Sequence, residues 1–203
     1  MVKYTDTVKA ADIGKAASII VRKTLTLIAI GGLPGSGKSS MARMVAQELE
    51  AVHLNSDRIR RALFATRAYT PEESRAVYQA LYQRAADALA AGSDVVLDAT
   101  FAKAAYRQPI FNLARVTGAQ LYFVWITCAP AVTEARLAAR MGDVSEADVS
   151  VYHQLADQFE PIVGSDIQVG SHIQVGSHIH IDNSAGLAEL KQQVTDKLLA
   201  RIR

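Results

Sequence analysis

The chain has 203 residues, half of them hydrophobic, with 22 basic and 20 acidic side chains and a formal net charge of +2. That length and apolar content describe one ordinary globular domain with room for a small appendage, and the near-balanced charge argues against a protein that grips a long nucleic acid by charge alone. One cysteine, Cys128, excludes a disulfide within the chain and fits a reducing cytoplasm; no apolar run reaches spanning length and Met1-Val2-Lys3-Tyr4 has no secretory pattern, so neither membrane insertion nor secretion is expected.

Residues 1–24 form an N-terminal extension or linker, set apart from a domain over 25–203. Within the extension Val8, Ala11, Ala16, Ile19 and Ile20 would share one helical face, either as a packing helix or as a connector belonging to a larger architecture. From Leu25 onward short β-type runs alternate with helical ones. Strands are predicted near Leu25–Ile30, Ala51–Asn55, Asp94–Ala99, Leu121–Cys128 and His178–Asp182. Helices fill the gaps: Lys38–Glu50, Asp57–Phe64, Pro71–Ala91, Lys103–Thr117, Ala131–Met141, Ser145–Phe159 and Ser184–Ile202. The alternation predicts an α/β fold of three layers, with a five-stranded parallel sheet between helices. Ligands of such sheets bind beyond the carboxyl ends of the strands, so the residues that follow each strand are the candidates for chemistry.

After the first strand comes Gly32-Leu33-Pro34-Gly35-Ser36-Gly37-Lys38-Ser39, a complete G-x-x-x-x-G-K-[ST] phosphate-binding loop, followed by Ser40 and an apolar helix. Its glycines let successive N–H groups turn toward phosphates, Lys38 reaches the β- and γ-phosphates, and the Ser39 hydroxyl suits Mg²⁺. The positive end of the following helix adds to the same anion site. A nucleoside triphosphate is the expected ligand.

The second strand runs into Asn55-Ser56-Asp57-Arg58-Ile59-Arg60-Arg61. Asp57, Arg60 and Arg61 are helical neighbours, which puts a carboxylate beside two guanidinium groups; this suits phosphoryl transfer to a hydroxyl, with an arginine holding an anionic part of the acceptor. The plainer alternative has Asp57 capping its helix and the arginines solvated. The third strand ends at Asp98, a candidate for Mg²⁺ or acceptor contact, with Thr100 adding a hydroxyl nearby. Arg136 and Arg140, four apart and followed by a break at Gly142, suggest a closing lid over 136–148 that brings positive charge to the transferring phosphoryl group.

Two features stand outside this scheme. Ile167–His172 and Ile173–His178 are copies of one hexapeptide; two copies are too few for a solenoid and point to a local duplication that lengthened a loop or hairpin over 167–178. His172, His178 and His180 have no carboxylate or cysteine to complete a metal-ligand set. Cys128, inside an apolar run, reads as buried packing rather than a nucleophile.

Taken in order, these motifs resemble the phosphate-loop kinases of the AAA-type ATPase or kinase family that includes zeta-toxin-like proteins and phage-type polynucleotide 5′-kinase domains. The resemblance runs from Leu25 to Arg203 through Gly32–Ser39, Asn55-x-Asp57-x-x-Arg60, Asp98 with Thr100, and Arg136 with Arg140. It implies a nucleoside-kinase-like fold with a helical lid, ATP and Mg²⁺ as cofactors, Asp57 as hydroxyl-activating base and Arg60 as acceptor-phosphate contact. The stretches Leu27–Ser39 and Val95–Phe101 are also similar to the ATP-binding half of bacterial proteins that fuse such a module to an aminoglycoside-phosphotransferase-like domain. Ser40 stands where threonine is commoner, and the duplicated hexapeptide has no counterpart; it precedes Asp182 and Asn183, where related kinases close over the adenine.

The function these features predict is a cytoplasmic Mg²⁺–ATP-dependent kinase acting on a hydroxyl. A nucleoside, a nucleotide or polynucleotide 5′-end, or a small metabolite such as an amino sugar would serve as acceptor, with Arg58, Arg60, Arg61 and Arg67 favouring a small anionic one. A regulatory module that hydrolyses ATP slowly and acts through a protein partner is the alternative, since the same phosphate loop serves both. A bare ATP-binding piece of a two-domain enzyme is a third reading. Sequence leaves the oligomeric state open.

Overall fold

The computed structural model describes residues 24–139, 149–162 and 176–202. Its elements follow the order β1 (Thr26–Gly31), α1 (Lys38–Glu48), β2 (Val52–Asn55), α2 (Ser56–Leu63), α3 (Pro71–Ala90), β3 (Val95–Asp98), α4 (Ala104–Thr117), β4 (Gln120–Thr127), α5 (Pro130–Ala138), α6 (Val149–Asp157), β5 (Gly176–Asp182) and α7 (Leu187–Val194). A π-helical turn, Thr195–Leu199, then leads into α8 (Ala200–Ile202). The five strands form one all-parallel sheet in the order β2-β3-β1-β4-β5.

Side chains alternate across a strand, and β1 shows what that does here. Leu27 and Ala29 join Val95, Leu97, Leu121 and Phe123 against α3 and α4 through Val77, Leu81, Ile110 and Phe111. Ile28 and Ile30 face the other way, joining Val96, Val124 and Ile126 against Met41 and Val45 of α1 and Leu190 and Val194 of α7. Every residue of β1 is buried, as a central parallel strand with helices on both faces must be. Order reverses around β1, whose neighbours β3 and β4 run on either side, so the crevice at the sheet's carboxyl edge opens over the phosphate loop.

The carboxyl-terminal segment departs from the expected single helix over Ser184–Ile202. Ser184 is instead committed to a turn, its N–H donating to Asp182 Oδ1 at 3.0 Å, and Gly186 holds a φ of 107° before α7 begins. The wider π turn then carries Leu198 and Leu199 into the core, and Tyr122 anchors the end by donating to Arg201 O at 2.8 Å. The extension at 1–23, the lid segment 140–148 and the hexapeptide residues 167–175 lie outside the described residues; the second copy's Gly176–His178 opens β5.

Candidate active site

The phosphate loop is held from three sides. Gly32 N–H donates to Thr100 O at 3.3 Å, tying the loop to the chain leaving β3, while Ser36 N–H closes the turn on Leu33 O at 3.2 Å. Asn183, buried at the exit of β5, donates from Nδ2 to Ser36 O at 2.8 Å. A Cβ at Gly37, whose φ is 93°, would collide with that same Nδ2, so glycine is required there by both conformation and contact. Ser40 and Met41 N–H both converge on Gly37 O at 3.1 Å, starting α1 beneath the loop. Lys38 is only 8% exposed. Ser40 is exposed, and its hydroxyl accepts from Arg43 at 3.4 Å rather than turning into the loop.

Asp98 ends β3 beside Ile30, the last side chain before the loop. It is fully buried, with Oδ2 accepting from Asn55 Nδ2 at 2.6 Å and lying 3.2 Å from His53 Nε2. Burial pushes its carboxyl up, but hydrogen bonding to His53, the Lys38 charge, and hydrogen bonds from Asn55 and Ser39 outweigh that and hold it below the usual range. Its second oxygen, Oδ1, has no hydrogen-bond partner among the described residues. An ionised, buried carboxylate with one oxygen unsatisfied, beside the Ser39 hydroxyl and Lys38, is a donor set that fits a hard divalent cation.

Asn55 also caps α2: its Oδ1 accepts from Arg58 N at 2.9 Å. One amide thus links the acid of β3 to the helix carrying Asp57. Because Asn55 is the cap, Asp57 is free of that duty and lines a cleft of about 440 Å³ with Lys38, Arg60 and Thr100. Arg60 is 8% exposed, donates to Glu73 Oε2 and Ser74 Oγ at 3.3 Å each, and lies 4.8 Å over the Tyr69 ring. The cleft is completed by Val151, Gln154 and Leu155 of α6 and by Gln158 just beyond it. Tyr78 accepts from Phe101 N at 3.0 Å, holding a backbone whose φ is 49°. Burial pushes the Tyr78 phenol well up, so it stays protonated.

Lys38, Asp57, Arg60 and Thr100, all singled out from sequence, line one cleft, and Pro34 joins its wall. Arg61 is exposed and outside the cleft lining, because α2 turns Ile59 and Arg60 inward instead. Arg136 does not line the cleft: its guanidinium donates to Asn183 O at 3.0 Å and to Cys128 Sγ at 3.3 Å. Arg140 lies outside the described residues. Cys128 is half-buried in the turn after β4 rather than packed within the strand, since β4 stops at Thr127. His53 and Glu73 were not singled out from sequence, and Asn183 and the helix containing α6 were noted without these roles; the polar His53 and Asn55 inside an otherwise apolar strand pattern were the one local signal available for the Asp98 brace.

The architecture recurs in solved kinases. A gluconokinase from Sinorhizobium meliloti aligns with a TM-score of 0.64 over 89% of this chain and 95% of its own, at 22% identity. An APS kinase from Mycobacterium tuberculosis, in complex with AMPPNP and APS, aligns with a TM-score of 0.58 over 85% of this chain and 96% of its own, at 20% identity. An uncharacterized Mycobacterium tuberculosis protein is 32% identical over 145 residues, 66% of this chain and 29% of that protein. A Mycobacterium bovis protein matches to the same extent, so the chain spans under a third of the length of these curated relatives. Residues 27–162, two thirds of the chain, match the family model described as an AAA domain, and the chain belongs to that family.

Proposed function

We propose that the chain transfers the γ-phosphoryl group of Mg²⁺–ATP to a hydroxyl of a small acceptor bound in the cleft. The observation that carries this reading is the shared wall: Lys38 of the phosphate loop and Asp57 of α2 line one cavity. A triphosphate cradled by the loop presents its terminal phosphoryl toward that cavity, where the Asp57 carboxylate orients the acceptor hydroxyl and takes its proton. Lys38 neutralises charge on the phosphates, and the braced loop supplies N–H donors without reorganisation. Ser39 and Asp98 would hold Mg²⁺ together with phosphate oxygens, and the ion would screen charge on the nucleotide. Among the described residues no group of three or more His, Cys, Asp or Glu side chains offers a metal site on protein ligands alone, which suits an ion that arrives with the nucleotide.

A regulatory ATPase needs no carboxylate lining the cavity beside its phosphate loop, so the cleft favours the kinase. In the aligned APS kinase complex AMPPNP and APS occupy one protein together, which supports a two-ligand site on this fold. The test is transfer from γ-labelled ATP with Mg²⁺ to pooled hexoses, amino sugars, nucleosides and 5′-hydroxyl oligonucleotides, with Asp57→Asn alongside. The amide keeps the shape and cannot take the proton, so transfer should fall about 100-fold or more while ADP affinity holds within about twofold. Equal loss of both would make Asp57 a structural residue.

A further inference from the structure

We infer that the acceptor is an uncharged polyhydroxy molecule of about monosaccharide size, and that Glu73 sets this choice by neutralising Arg60; the inference rests on the kinase reading above. The arginines that make the sequence look ready for an anion are dispersed in the fold. Arg58 and Arg61 are exposed and do not line the cleft, and Arg67 donates to Ala65 O at 3.4 Å. Of these four arginines only Arg60 lines the cavity, with its two terminal nitrogens on Glu73 and Ser74.

Glu73 is fixed where it stands. It is the third residue of α3, whose cap Thr70 accepts from Glu73 N at 3.2 Å, and its carboxylate reaches back to Ala68 N at 2.9 Å and Tyr69 N at 2.7 Å. This is the reciprocal logic of a capping box, extended to the loop before the helix. Those backbone hydrogen bonds, with Arg60, hold the Glu73 carboxyl below its ordinary range, so the charge is present at neutral pH. An anionic acceptor would have to displace Glu73 from Arg60 and then lie against it.

Among the described residues, what remains around the cavity is balanced. Lys38 belongs to the phosphates, Asp57 is negative, and Lys103 at the exposed rim is positive. The other polar lining is neutral: hydroxyls of Ser56, Ser74 and Thr100, and the amides of Gln154 on α6 and Gln158 just beyond its end. Amides that both donate and accept are the complement of vicinal hydroxyls. A nucleobase finds no slot between Tyr78 and Tyr106, which already stack on each other at 4.0 Å and 8°. A cavity of about 440 Å³ is in the range for one small molecule.

The test uses acceptor pairs that differ in one charge: hexoses against the corresponding hexonates, by kcat/KM with Mg²⁺–ATP. The wild type should use the uncharged member at least about tenfold better. Glu73→Gln keeps an oxygen for the Ala68, Tyr69 and Arg60 N–H groups but removes the charge that neutralises Arg60; the hexonate-to-hexose ratio should rise about tenfold or more while Mg²⁺–ADP affinity stays put. Gln158→Leu should raise the hexose KM about tenfold and leave the ATP KM alone. A wild-type preference for hexonates, or an unmoved ratio in folded Glu73→Gln, overturns the inference and spares the kinase reading; if Glu73→Gln fails to fold, the wild-type ratio decides. Mg²⁺–ADP binding with transfer to neither member overturns the inference, and no transfer to any pooled acceptor overturns the kinase reading as well.

Discussion

Asn183 offers the sharpest test of how the phosphate loop is held. Its Nδ2 donates to Ser36 O at 2.8 Å in a buried setting, 147 residues away in sequence, and its own N–H is tied to Thr127 O at 2.8 Å. Asn183→Ala removes the donor but keeps both backbone contacts, including the bond from Arg136 to Asn183 O. In the free protein the loop can relax and let water reach Ser36 O. Binding a nucleotide must then re-form the loop with that carbonyl unpaired, a penalty of about 1–3 kcal/mol, which is a loss of roughly 5- to 150-fold in affinity. Asn183→Asp should be worse than alanine, because a carboxylate would face the Ser36 carbonyl and add negative charge beside the phosphates. Titration of a fluorescent ADP analogue with Mg²⁺, set against thermal unfolding without nucleotide, separates the two effects. Unchanged nucleotide affinity in both variants, with only the unfolding temperature lowered, would refute the loop-positioning role and leave Asn183 as a packing residue.

The remaining predictions concern Asp98 and Arg136. Asp98 has a carboxyl depressed in the folded state, so it contributes stability that is present above its ordinary value of 3.8 and is lost as pH falls below it; Asp98→Asn should flatten the acid-side drop in urea midpoint, and an equally steep drop in the variant would contradict this. Arg136→Ala should slow transfer at saturating ATP by about tenfold or more, if the guanidinium leaves Asn183 and Cys128 to meet the transferring phosphoryl group. Full recovery of kcat at high ATP would instead show that Arg136 only braces the nucleotide site.

How far the sequence could be read depended on the range of the interaction. The strands around Leu27–Ile30 and Val95–Leu97 were legible because burial on both faces leaves an unbroken apolar run, and the phosphate loop was legible because its chemistry is contained in eight consecutive residues. Asp57 and Arg60 were legible as helical neighbours, but which face α2 buries depends on α3, so Arg60 went inward and Arg61 outward. The lengthened helix expected from Ser184 failed for a related reason: Asp182 competes locally for the Ser184 N–H, which no apolar period reveals. Bonds between distant segments, such as Asn183 to Ser36 and His53 to Asp98, leave no periodic trace at all.

Charge is the property least readable by counting along the chain. Four arginines between positions 58 and 67 read as an anion site when summed, yet the fold exposes two, bonds one to a local carbonyl and pairs the fourth with Glu73, thirteen residues on from Arg60. A guanidinium matched by a fixed carboxylate presents hydrogen-bond direction without net charge. The same carboxylate that lets α3 begin after Thr70 therefore also decides what Arg60 can offer an acceptor. Helix start and cleft electrostatics share one residue, so a change at position 73 that preserves the backbone hydrogen bonds alters selectivity while a change that breaks them alters the fold.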